Sequence, residues 1–184
     1  MHSAALQREE ARVVKKNVRS TQIATPNSLK TLYCKTLYRY RDAVEALGNA
    51  PRAKMFLALA YAAAGDAARA LETADAALAH LYESEYRAYE STAHQITGEV
   101  LLVQAEPGQE EAEHCFRTAI EIAARQGAKS LELRATTSLA RRLAKQGRRD
   151  EARAMLAEIY NWFTEGFDTA DLKDAKALLD ELAR

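Results

Sequence analysis

Small and large apolar residues return three times along the chain in one frame. Leu57-Ala58, Tyr61, Gly65, Ala70, Ala74 and Ala77 set it. Gly98, Leu101, Ala112, Phe116 and Ala119 repeat it, and Leu139-Ala140, Leu143, Gly147, Ala152, Leu156 and Ile159 repeat it again. The corresponding alanines Ala70, Ala112 and Ala152 lie 42 and then 40 residues apart. A self-similar period in this range marks an array of helical hairpins. Two antiparallel helices joined by a short turn cross closely only where one side chain is small, which assigns Ala58, Gly98 and Ala140 to first-helix crossings. Ala70, Ala112 and Ala152 then fall early in the second helices. Gly65 and Gly147 occupy turn positions, where a left-handed residue ends a helix without a steric penalty. The large residues fill the space between successive helices, and no hairpin buries its apolar stripe without a neighbour.

The same periodicity sets the expected boundaries. Units are predicted over about 51–83, 84–127 and 129–164. A closing helix follows over 168–184, whose stripe of Leu172, Ala175, Leu178, Leu179 and Leu182 leaves the polar outer face that a terminal cap needs. Asp168 or Thr169 is expected to cap it. Trp162 and Phe163 are expected to pack it onto the third unit. Upstream, Pro26-Asn27-Ser28 marks a helix start, and Leu29, Leu32, Tyr33, Leu37, Tyr40, Val44 and Leu47 recur at three- and four-residue steps. Residues 27–50 therefore read as a helix that caps the array or remains from an upstream repeat. Residues 1–26 read as a basic, poorly ordered lead-in.

In register and residue type the frame resembles the tetratricopeptide repeat (TPR). The first and third units fit best. The second carries extra residues, Ala105-Glu106-Pro107-Gly108-Gln109, and the period exceeds the roughly 34 residues of the standard repeat, so a longer-helix variant is implied. Residues 51–184 further resemble the C-terminal TPR region of large bacterial signalling proteins, in which a nucleotide cyclase or DNA-binding domain precedes a STAND-type ATPase module. The stretch Trp162-Phe163-Thr164-Glu165-Gly166-Phe167-Asp168-Thr169, followed by Asp171-Leu172-Lys173, is the most specific part of that likeness. The resemblance implies an all-α, right-handed superhelix of antiparallel hairpins with a C-terminal capping helix, serving as a sensor or interaction segment in the cytoplasm. The chain carries no GxxxxGK[ST] phosphate loop, so it departs from the catalytic part of that family. A detached regulatory tail of such a cyclase or ATPase regulator is the alternative reading.

Charge changes the picture in one respect. The formal net charge is zero, yet residues 1–54 hold 11 Lys/Arg against 4 Asp/Glu, and the remainder holds 15 against 22. Arg12 to Arg19 and Tyr33 to Arg41 mix basic and aromatic residues, a composition that can suit nucleic acid. No nucleic-acid motif accompanies it, so nucleic-acid binding is the weaker reading.

Candidate chemistry is sparse. His114 and Cys115 are adjacent, so a helix splays them about 100° apart, which disfavours a nucleophile–base pair. Cys34 and Cys115 fall in different units, consistent with reduced thiols. His2, His80, His94 and His114 form no i, i+4 pair and no HExxH, which argues against zinc. No catalytic residue, metal or cofactor is expected, and no stretch approaches a membrane span.

The remaining candidates are binding surfaces. First helices of TPR hairpins line a concave face. The outward positions predicted there are Thr92, Gln95 and Glu99 in the second unit and Arg134, Thr137, Arg141 and Lys145 in the third. Met55, Leu59 and Ala62 make the first unit's share apolar. Such a face would take a protein or peptide partner of acidic-hydrophobic character. The asparagine used by carboxylate-clamping TPR domains is absent, with Ile96 and Ser138 at the matching positions.

Overall fold

A computed structural model of the chain describes residues 51–84, 87–103 and 108–184. The lead-in over 1–26, the helix expected over 27–50 and Cys34 lie outside the described residues. The fold is all-α. Among the described residues there are seven α-helices and no strand: α1 (Pro51–Ala64), α2 (Ala67–Glu83), α3 (Glu90–Val103), α4 (Gln109–Arg125), α5 (Lys129–Lys145), α6 (Arg149–Tyr160) and α7 (Ala170–Leu182), with a 3₁₀ turn at Arg87–Tyr89 ahead of α3.

Three of the connections are one turn used repeatedly. Gly65, Gly127 and Gly147 have φ of 84°, 66° and 83°. The amide of the following residue reaches back five positions in each, Asp66 to Tyr61 O, Ala128 to Ala123 O and Arg148 to Leu143 O, all at 2.9 Å. The glycine amide bonds three positions back. This Schellman geometry satisfies the carbonyls that a helix end orphans. Gly65 and Gly147 sit in the turns their spacing predicts. Gly127 adds a third, between units, so one local device closes hairpins and also joins them. At α2 the Asp66 carboxylate accepts from the Arg69 amide at 3.1 Å and caps the helix start.

Among the described residues consecutive helices pack against each other, and α1 also packs on α3, α3 on α5 and α5 on α7. The cross-helix contacts define direction. Ser91 Oγ at the start of α3 donates to Ala119 O late in α4 at 2.9 Å, whereas Gly98 lies against Phe116. Residue numbers fall on α4 as they rise on α3, so the pair is antiparallel. A Cβ at Gly98 would come within 2.8 Å of the Phe116 ring, and Phe116 is fully buried. The small residue at this crossing is thus set by the ring it accommodates.

Ala58, Ala70, Ala112, Ala140 and Ala152, the positions assigned to close approaches, are all fully buried. The buried residues form two clusters. One joins Met55, Ala58, Ala62, Ala70, Ala74, Ala77, Leu81, Ala93, Ile96 and Val100 across α1–α3. The other runs from Leu101 and Phe116 through Leu133, Leu139, Leu143 and Leu156 to Leu172, Leu178 and Leu182 on α7.

The C-terminal end departs from expectation in two places. Phe163 packs on the second cluster, but Trp162 is 58% exposed. It meets Phe163 edge-on at 5.2 Å, and Lys129 Nζ lies 5.8 Å from its ring centroid. The helix ends at Tyr160, so helical spacing no longer governs which way residue 162 faces. Thr169 is the N-cap residue of α7, yet its hydroxyl donates backwards to Gly166 O at 2.7 Å and caps no amide.

Candidate functional site

The predicted face divides into residues that are open and residues that are core. Thr92, Gln95 and Glu99 on α3 are half-buried, and Arg134, Arg141 and Lys145 on α5 are exposed. Thr137 is not on the open face. It is buried, donating its hydroxyl to Leu133 O at 2.7 Å, a back-bond that lets a threonine sit inside a helix with its methyl in the core. The apolar share assigned to the first unit is likewise interior. Met55 and Ala62 belong to the α1–α3 cluster, and Leu59 packs against it. The apolar end expected of the groove is therefore spent on helix packing.

Side chains from α3 and α5 meet directly. Gln95 Nε2 donates to Glu99 Oε1 at 3.0 Å, and Ser138 Oγ donates to the same oxygen at 3.1 Å. Burial pushes the Glu99 carboxyl above its ordinary range, against those two hydrogen bonds and the nearby charge of Arg141. Toward α7, Arg134 Nε donates to Asp171 at 2.7 Å, and Arg141 pairs with Asp174. Two of the predicted cations are thus tied to the capping helix.

Glu99, Arg141 and Lys145 also share a cavity of about 490 Å³ with Ser138, Arg142, Gln146, Gln109, Leu102 and Phe116. Arg142 is buried there, and its Nη1 donates to Gln109 Oε1. Sequence reasoning missed Arg142, although a signal existed. It falls seven residues after Ala135 and three after Leu139, on the apolar face of α5. A charge on such a face is the informative exception.

A second charged group lies on the even-numbered helices. Glu113 accepts from Arg117 Nη2 at 2.8 Å and from Arg148 Nη1 at 3.0 Å. Arg117 and Arg148 in turn reach Glu151. Burial pushes Glu113 up, but the hydrogen bonds from Arg117 and Arg148 outweigh it and hold the carboxyl below its usual range. This network ties α4 to α6.

Nucleophile chemistry finds little support. Cys115 is buried, and that burial, with Glu111 and Asp75 nearby, pushes its thiol up to about 11; a thiol so held is a poor nucleophile. Tyr82 and His94 are within hydrogen-bond distance at 3.0 Å. Among the described residues no group of three or more His, Cys, Asp or Glu is placed to hold a metal ion, and no helix is long and apolar enough to cross a membrane.

Compared with known proteins, the chain matches no family model and no curated protein.

Proposed function

We propose that this chain is a non-catalytic protein-interaction module of TPR-like superhelical form, which takes a protein or peptide partner along the face of α1, α3 and α5. The observation that carries the reading is the packing of each odd-numbered helix on the next. That arrangement supports one continuous face, with Thr92, Gln95, Glu99 and Lys145 spaced along it. Lys145 and Arg141 favour acidic groups on the partner at the α5 end. The bacterial regulatory setting follows from the resemblance of residues 51–184 to the repeat regions of signalling proteins.

The test is affinity capture from the organism of origin, followed by binding of the purified partner to the purified chain. Arg134 and Arg141 hold α7, so the variant that isolates the face is Thr92→Ala/Gln95→Ala/Lys145→Ala. A partner that binds the parent chain and is lost by this triple variant, with melting unchanged, supports the module. A partner that binds both equally overturns the assignment of the face.

A further inference from the structure

Among the described residues, the cavity between α3, α4 and α5 is lined by more cations than carboxylates. Arg141, Arg142 and Lys145 line it against one carboxylate, Glu99, and of the three Arg141 is already paired with Asp174 on α7. Arg142 decides the reading. Its side chain is 3% exposed, and a buried guanidinium is costly unless its charge and its donors are met. Among the described residues, its Nη1 is partnered by the neutral Gln109 and its Nε has no hydrogen-bond partner. The Glu113 carboxylate lies 3.9 Å from that Nε, beyond hydrogen-bond distance, and already serves Arg117 and Arg148. Glu113 and Glu151 are thereby divided among three guanidinium groups, and Arg142 has the most distant share.

Two features add to this. Helix α4 begins at Gln109 on the cavity wall, and its N-cap, Gly108, supplies no side-chain cap, so the positive end of that helix adds to the field. Leu102 and Phe116 give the same cavity an apolar wall. Its volume is within the range of small-molecule sites.

The geometry points to a binding site for a free small organic anion. A carboxylate or phosphate-ester head is held by Arg142 and Lys145, and a short apolar body lies against Leu102 and Phe116. The site does not depend on the protein partner proposed above, and it uses residues of α4 that the interaction face does not include.

The full chain, labelled with nitrogen-15, is titrated with hexanoate, hexyl phosphate and inorganic phosphate, with sodium chloride as the control. The readout is the Arg142 Nε–H resonance. Saturable movement with hexanoate or hexyl phosphate, weaker with inorganic phosphate, is expected. Lys145→Ala, at an exposed position, should weaken that binding by about tenfold, the weight of one charge-assisted contact. Arg142→Lys provides a second variant, with its folding checked by circular dichroism. A resonance that stays still, or that follows chloride as closely as the organic anions, overturns the site. So does saturation by a capped aspartyl peptide alone, which would give the cavity to the partner's side chain instead.

Discussion

The core of α1–α3 and the core of α4–α7 stack their helices with different materials. In the first, Ala58, Ala62, Ala70, Ala74, Ala77 and Ala93 dominate, and helices approach because little stands between them. In the second, Phe116, Leu133, Leu139, Leu143 and Leu156 fill the space, with Ala112, Ala140, Ala152 and Ala175 between them. Among the described residues, the ion pairs that join one helix to another follow the same division. The Glu113 network and the Arg134–Asp171 and Arg141–Asp174 pairs all lie on α4–α7. An alanine core gains little from each residue and depends on closeness. A leucine core gains more from each and depends on being full.

The largest test of this difference is truncation. Phe116→Ala should cost about 3–5 kcal/mol, read by urea unfolding, because the ring is fully buried between α3 and α4. Ala74→Gly, in the other core, should cost only about 1 kcal/mol, mostly helix propensity. Equal losses would erase the contrast.

Enlargement should act on both cores alike. Ala70→Leu, Ala140→Leu and Ala152→Leu, each at a fully buried crossing, are expected to cost about 1–3 kcal/mol by overpacking. Unchanged melting in all three would refute the assignment of these positions as crossings.

Gly98→Ala sharpens the point where the two cores meet. Alanine gains up to about 1 kcal/mol in helix propensity, but its Cβ would come within 2.8 Å of Phe116. A net loss is expected in the parent chain. In a Phe116→Leu background the same substitution should become neutral or stabilising, and a double-mutant cycle reads that coupling directly.

The smallest effects come from two glutamates with opposite signs. Glu113 is held below its ordinary range, so it stabilises the fold above that range, and this contribution is lost as pH falls through its lowered pKa. Glu99 is raised by burial, so the folded state binds its proton more tightly, and its contribution is lost as pH rises through its raised pKa. Glu113→Gln should therefore lower Tm at pH 7 and Glu99→Gln should raise it. Both differences should shrink near pH 3. A Glu99→Gln variant less stable than the parent at pH 7 would contradict the burial argument.

Much of the fold was legible from residue spacing. The burial of Ala58 and Ala140, the close approach at Gly98, the turns at Gly65 and Gly147 and the stripe of α7 all follow from local sterics and periodicity, which act within a few residues. The candidate face was less legible. Thr137 and Met55 share their spacing with open positions, and only the neighbouring helix decides that they are covered. Trp162 and Phe163 are adjacent, and the end of α6 at Tyr160 sends one into solvent and the other into the core.

The chain by itself determined an all-α fold, the turns at Gly65 and Gly147 and the apolar stripe of the last helix, because glycine turns and helical periodicity are short-range constraints. The tertiary structure alone decided the rest. It brought Glu99, Gln109 and Arg142 from three helices around one cavity, set Glu113 between Arg117 and Arg148, and gave Arg134 and Arg141 to α7. Those juxtapositions depend on how far each helix slides along its neighbour. That offset is set by the summed packing of side chains distant in sequence, which no local pattern contains.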